Sequence, residues 1–254
     1  MVSKDEIIRV AKRENLPIGI IEKDFVLTYI LKRIYESELK DRLVFKGGTA
    51  LHKLYLHKRI SIDLDFTELK PVRIDELKAV IEDKEIGSKV KEINKTNSSL
   101  RIVLSYVSVL EYKNKIILDI SKREKPILKL ITRRLKSPYF EEIEVLTFQL
   151  EELIAEKIRA IIQRNRPRDY LDLYYTLNMK KLDLKKAIEV AKEKLKEGGD
   201  KLDIGRIFNN LDVVRSLWDH DLRELLVDVP EFDGVVTKIR DKLILFSHPS
   251  SSTP

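Results

Sequence analysis

FKGGTALHKLYLHKRISIDLDF, residues Phe45 to Phe66, carries three local signals in a fixed order. The apolar run Leu43-Val44-Phe45 leads into a glycine pair, Gly47-Gly48. Thr49 to Leu56 has the composition of a short helix. Ile62-Asp63-Leu64-Asp65-Phe66 then alternates carboxylate with apolar side chain. On a strand, side chains alternate faces, so this spacing predicts Asp63 and Asp65 on one face and Ile62, Leu64 and Phe66 on the other, in a core. Two carboxylates held side by side repel unless a cation lies between them. Hard divalent ions such as magnesium take oxygen ligands of this kind. The glycines let backbone N–H groups approach a phosphate, and the helix that follows offers its positive end. Read blandly, the same residues are a glycine turn and an edge strand with two surface aspartates.

Towards the N-terminus, Ser3 and Glu6 form a capping-box pattern, which predicts a helix from about Lys4 to Glu14. Pro17 opens a longer helix to about Ser37. Its apolar residues, among them Ile20, Ile21, Phe25, Leu27, Ile30, Leu31 and Ile34, are dense enough for a core helix. Glu22-Lys23-Asp24 reads as a charged turn on that helix.

Towards the C-terminus, Arg73 to Glu82 reads as a helix. Arg101 to Leu110 and Lys115 to Ser121 read as strands joined by the polar turn Glu111-Tyr112-Lys113-Asn114. Asp119 lies in the second strand among β-formers. In isolation it is an exposed carboxylate; beside Asp63 and Asp65 it is a candidate third carboxylate, as two-metal phosphoryl chemistry uses. Arg133, Arg134 and Lys136 form a small basic cluster, either a solvated face or a phosphate-backbone contact. A short strand is expected over Ile143 to Phe148.

From about Leu150 the period is helical. Leu150, Leu153, Ile154, Ala160 and Ile161 form one stripe of a helix ending near Arg164, with Lys157 in its middle. A lysine there either snorkels or meets a partner, and a phosphate oxygen suits its point charge. Pro167 breaks the helix and starts another, which carries Asp169 and Asp172 on one face. Further amphipathic helices are expected over 184–196, 204–211, 212–226 and 232–246, with Gly198-Gly199-Asp200 as a linker and Trp218 in the core. The expected organisation is α+β: a mixed-sheet unit over 1–148, a helical unit over 149–246, and a Ser/Pro-rich disordered tail over 247–254.

Hydrophobic residues make up 43% of the 254, enough for a sizeable core. No apolar run matches a membrane span, and the sequence opens on a polar helix with no signal-peptide pattern. Cysteine is absent, which excludes disulfides and thiolate metal sites. The four histidines show no metal-ligand spacing. A cytoplasmic protein is the expectation. The net charge of +7 suits a polyanionic partner, although lysine enrichment gives the same number.

The glycine turn, short helix and Asp-x-Asp strand resemble the signature of the DNA-polymerase-β-like nucleotidyltransferase superfamily. The fuller pattern, Lys46-Gly47-Gly48-Thr49-Ala50-Leu51 followed by Arg59, Ser61, Asp63 and Asp65, is similar to the AbiEii/AbiGii toxin family within it. Glu22-Lys23-Asp24 with Leu27 resembles that family's EKDxxL stretch. Lys157 and Arg168-Asp169-Tyr170-Leu171-Asp172-Leu173 resemble its lysine helix followed by RDxxDL. The resemblance spans about residues 22–177. It implies a nucleotidyltransferase-fold toxin of a toxin–antitoxin system, with a cognate antitoxin and no membrane association.

The implied reaction moves a nucleotide from a nucleoside triphosphate to an acceptor, RNA at the acceptor end of tRNA. Asp63 and Asp65 would hold magnesium, with manganese the alternative ion, and superfamily logic adds Asp119 as metal ligand or base. Gly47, Gly48, Thr49 and Ser61 would cradle phosphates. Lys157 would neutralise the triphosphate, and Asp169 would position nucleotide or acceptor. Two other readings stand beside this one. A small-molecule, antibiotic-type nucleotidyltransferase is disfavoured by the basic charge. A non-catalytic nucleotide- or RNA-binding module is disfavoured by the intact Asp63, Asp65 and Lys157.

Overall fold

A computed structural model describes residues 2–246; the tail expected to be disordered lies outside the described residues. They fall into two compact units, one ending at Gln149 and the other beginning at Leu150.

In the first unit, α1 (Lys4–Glu14) starts at the expected capping box. Ser3 Oγ accepts from the Glu6 N–H, and Glu6 accepts from the Ser3 N–H at 2.7 Å. The core helix α2 (Ile18–Tyr35) follows, then β1 (Leu43–Lys46). The short helix after the glycines has two parts, α3 (Gly47–Leu51) and a π-helical turn, His52–Leu56, closed by left-handed His57. Next come β2 (Asp63–Glu68), α4 (Ile74–Ile81), β3 (Lys89–Lys95), β4 (Ser99–Val107), β5 (Lys113–Ser121), β6 (Ile131–Leu135) and β7 (Ile143–Thr147). These strands form one mixed sheet in the order β3-β4-β5-β2-β1-β7-β6.

Two adjacent rows across this sheet fix its chemistry. Phe45, Phe66, Ile120 and Leu100 are cross-strand partners on β1, β2, β5 and β4, and all are buried. The Phe45 and Phe66 rings lie 5.8 Å apart. One residue along, Lys46, Asp65, Asp119 and Arg101 are partners in the same way. Because the pleat alternates, the second row points to the face opposite the apolar one.

The second unit is helical: α5 (Leu150–Arg164), α6 (Pro167–Leu177), α7 (Leu184–Glu197), a 3-10 turn Ile204–Phe208, α8 (Leu211–Leu222), α9 (Phe232–Leu243) and a last 3-10 turn, Ile244–Phe246. The helix expected over 204–211 is only the 3-10 turn, separated from α8 by Asn210 at φ 58°, a left-handed break that Asn tolerates, and the helix expected over 212–226 ends at Leu222. Buried Lys194 on α7 pairs with Glu152 on α5 at 2.8 Å. Trp218 is buried, donates its indole N–H to the Pro230 carbonyl at 2.8 Å, and packs edge-on against Phe232. Among the described residues no helix is long and apolar enough to cross a membrane.

Candidate active site

The parallel β2–β5 pairing sets Asp65 opposite Asp119 and Asp63 opposite Ile117. Asp63 and Asp65, two residues apart on one strand, share a face, and both are half-buried. Gly47 closes in on this pair. It has φ +72°, and a β-carbon added to it would lie 2.1 Å from Asp65 Oδ2, so the chain can pass there only without a side chain. Thr49 is fully buried and its hydroxyl donates to the Asp63 carbonyl, which pins the start of β2 to α3. Ser61, the other candidate phosphate contact, lies in the segment before β2 begins. Arg59 is buried, with its amide N–H on His52 Nδ1 at 3.3 Å and its guanidinium on the Ile60 carbonyl at 3.0 Å.

Asp119 is engaged differently from Asp63 and Asp65. Arg101 forks it, Nε to Oδ1 at 2.7 Å and Nη2 to Oδ2 at 2.8 Å. This bond and the Asp119 charge raise the Arg101 pKa, and Asp63 and Asp65 add to the effect from farther away. At the other end of the row Lys46 pairs with Glu124. The row therefore runs cation, carboxylate, carboxylate, cation. Neither Lys46 nor Arg101 stood out as a site residue in the sequence. Arg101 becomes visible only through the β4–β5 register that sets it opposite Asp119. Among the described residues no group of three or more His, Cys, Asp or Glu side chains is arranged to hold a metal ion. Asp63 and Asp65 supply the oxygen donors a hard cation needs.

The Glu22-Lys23-Asp24 turn is no solvated helix surface, because Glu22 and Asp24 are buried. Asp24 accepts from Lys53 Nζ at 2.6 Å and from the Tyr139 hydroxyl at 3.2 Å, tying α2 to the π-helical turn. Glu22 accepts from the Leu110 N–H at 2.8 Å. In the basic cluster, Arg133 stacks over Tyr55 at 4.2 Å and donates to the Leu54 carbonyl, a packing role. Arg134 and Lys136 are exposed beside Glu144 and Glu142.

The helical unit gives Lys157 carboxylate partners. Its ammonium lies 2.9 Å from Asp169 and 2.8 Å from Asp172, both buried on α6. Arg164 adds a fork onto Asp169 at 2.8 and 3.0 Å. Burial pushes the Asp169 carboxyl up, but Lys157 and Arg164 outweigh it and hold the group below the ordinary carboxylate range.

A search of curated proteins gives no match. Among solved structures, the chain is similar to MenT4, a nucleotidyltransferase toxin of Mycobacterium tuberculosis. The TM-score is 0.73 at 17% identity, over 99% of this chain and 91% of that one. It is also similar to JHP933 of Helicobacter pylori, with TM-score 0.62 and 19% identity over 91% and 93% of the two chains. A putative nucleotidyltransferase from H. pylori gives TM-score 0.61 at 18% identity, over 91% and 96%. At such low identity these likenesses establish the fold. The family model for the nucleotidyl transferase AbiEii toxin of type IV toxin–antitoxin systems matches residues 29–238, and the chain belongs to that family.

Proposed function

We propose that this toxin transfers a nucleotide from a nucleoside triphosphate to RNA, at the acceptor end of tRNA, with magnesium held by Asp63 and Asp65. One observation carries the reading: two half-buried carboxylates share a strand face, and the glycine turn packs its backbone directly against one of them. Bound there, a divalent ion would neutralise charge on the triphosphate oxygens. Gly47 and Gly48 bring backbone N–H groups to the phosphates, and Thr49 holds the turn to the strand. The acceptor hydroxyl attacks the α-phosphorus and pyrophosphate leaves. Positioning and fixed charge supply most of the rate in such chemistry.

The resemblance implies charge neutralisation on the triphosphate for Lys157 and positioning of nucleotide or acceptor for Asp169; within the helical unit the two are paired with each other and buried. The net charge of +7 favours a polyanionic acceptor over a small molecule. The type IV family implies a cognate antitoxin that opposes this activity.

Transfer of radiolabel from each nucleoside triphosphate to total RNA, with magnesium present, tests the reading. Asp63→Asn and Asp65→Asn are each expected to abolish transfer and leave the fold intact. Each relieves charge repulsion but removes a ligand oxygen. Wild-type activity in either variant sinks the metal assignment. Transfer to a small molecule, with none to RNA, sinks the acceptor assignment.

A further inference from the structure

We propose that Arg101 is a phosphate-binding residue of this site, and that Asp119 positions it instead of ligating a second metal ion. This rests on the reading that Asp63 and Asp65 hold the first ion. Arg101 and Asp119 are direct partners in the β4–β5 register, so the strands themselves present the guanidinium to the carboxylate. The contact uses the side edge of the guanidinium, Nε and Nη2. Its end edge, formed by the two Nη groups, has the same planar fork and suits phosphate oxygens equally well. The Arg101 side chain is 56% exposed, which leaves that edge within reach of a ligand.

Charge matching supports the assignment. The Arg101 guanidinium already balances the Asp119 charge through a bidentate contact. A second divalent ion on Asp119 would sit against a fixed cation, and like charges at that range repel. An arginine already held by a carboxylate also loses little freedom when phosphate arrives.

Two binding measurements on the full chain test the proposal. Manganese binding is followed by electron paramagnetic resonance. Binding of inorganic triphosphate, in magnesium, is followed by calorimetry. Asp119→Asn is expected to bind manganese as wild type does, while Asp65→Asn loses the ion. Arg101→Gln is expected to keep manganese and to bind triphosphate roughly 10- to 150-fold more weakly, the scale of a charge-assisted hydrogen bond. Arg101→Lys, which keeps the charge but not the fork, should fall between.

If Asp119→Asn loses manganese as Asp65→Asn does, Asp119 is a ligand and the proposal is overturned. Wild-type triphosphate affinity in Arg101→Gln overturns it as well. A wild-type protein that binds neither probe overturns the nucleotidyl-transfer reading, and the role of Arg101 with it. Intact wild-type binding with an indifferent Arg101→Gln removes only Arg101.

Discussion

Lys157 shows how much one residue's energetics depend on what faces it. From the sequence it is a lysine in an apolar stripe, and a methionine there looks harmless. In the structure its ammonium is the partner of two buried carboxylates. Removing it takes a buried cation away from Asp169 and Asp172. Lys157→Met is therefore expected to lose roughly 3–5 kcal/mol of stability, the usual penalty for breaking a buried ion pair from one side. Denaturant unfolding measures this, and a variant as stable as wild type would show that the ion cluster does not hold α5 to α6. Any nucleotide-binding comparison on this variant belongs at a temperature where it remains folded. Asp169 adds a pH dependence. Its folded pKa is depressed, so its contribution is present above its ordinary pKa and is lost as pH falls through the folded value. The spacing of Asp169 and Asp172 was plain in the sequence. Which cation they meet was not, because that depends on how the helix after Pro167 folds back.

Among the elements, β1 was read only as an apolar run, and β3 and β6, the two edges of the sheet, escaped the sequence reading altogether. Lys89–Lys95 reads KVKEINK and Ile131–Leu135 reads ITRRL, so charge interrupts the apolar alternation in both. Charged edges discourage pairing with other chains, and the same charges erase the period-two signal. Central strands β2 and β5 were legible because one face of each carries an apolar run, Leu64 and Phe66 on β2 and Ile116, Leu118 and Ile120 on β5. Helix α2 misleads in the opposite way, for its charged turn is buried. Glu22 is fully enclosed, and among the described residues its Oε2, the Tyr106 hydroxyl and the Ser108 hydroxyl meet no hydrogen-bond partner. Burial raises the Glu22 pKa, against the opposing pull of the Leu110 N–H. A raised carboxyl favours folding while protonated, so stability falls as pH rises through its folded pKa. Glu22→Gln keeps the Leu110 bond and cannot ionise. Its melting temperature should exceed that of wild type at alkaline pH, and the gap should close in acid. A gap independent of pH would show that Glu22 does not titrate in the fold.

At the scale of the whole chain, composition sets the expectation for RNA. With net charge +7, binding to RNA should weaken steeply with salt, log K falling linearly with log salt concentration as counterions are released. Filter binding over a salt series checks this, and a flat dependence would count against a phosphate-backbone contact. The turn from mixed sheet to helices was visible as a change of period near Leu150, because periodicity needs no knowledge of partners. The row from Lys46 to Arg101 was not, since four strands must pair before it exists. The buried indole of Trp218 has an optical consequence. It is the chain's single tryptophan and lies in the helical unit, whereas the nine tyrosines are spread over both units. Excitation selective for indole therefore makes the unmodified protein report the opening of its helices, and far-ultraviolet dichroism adds the sheet. Whether the two signals move together in denaturant tells whether the halves melt as one cooperative body or in succession.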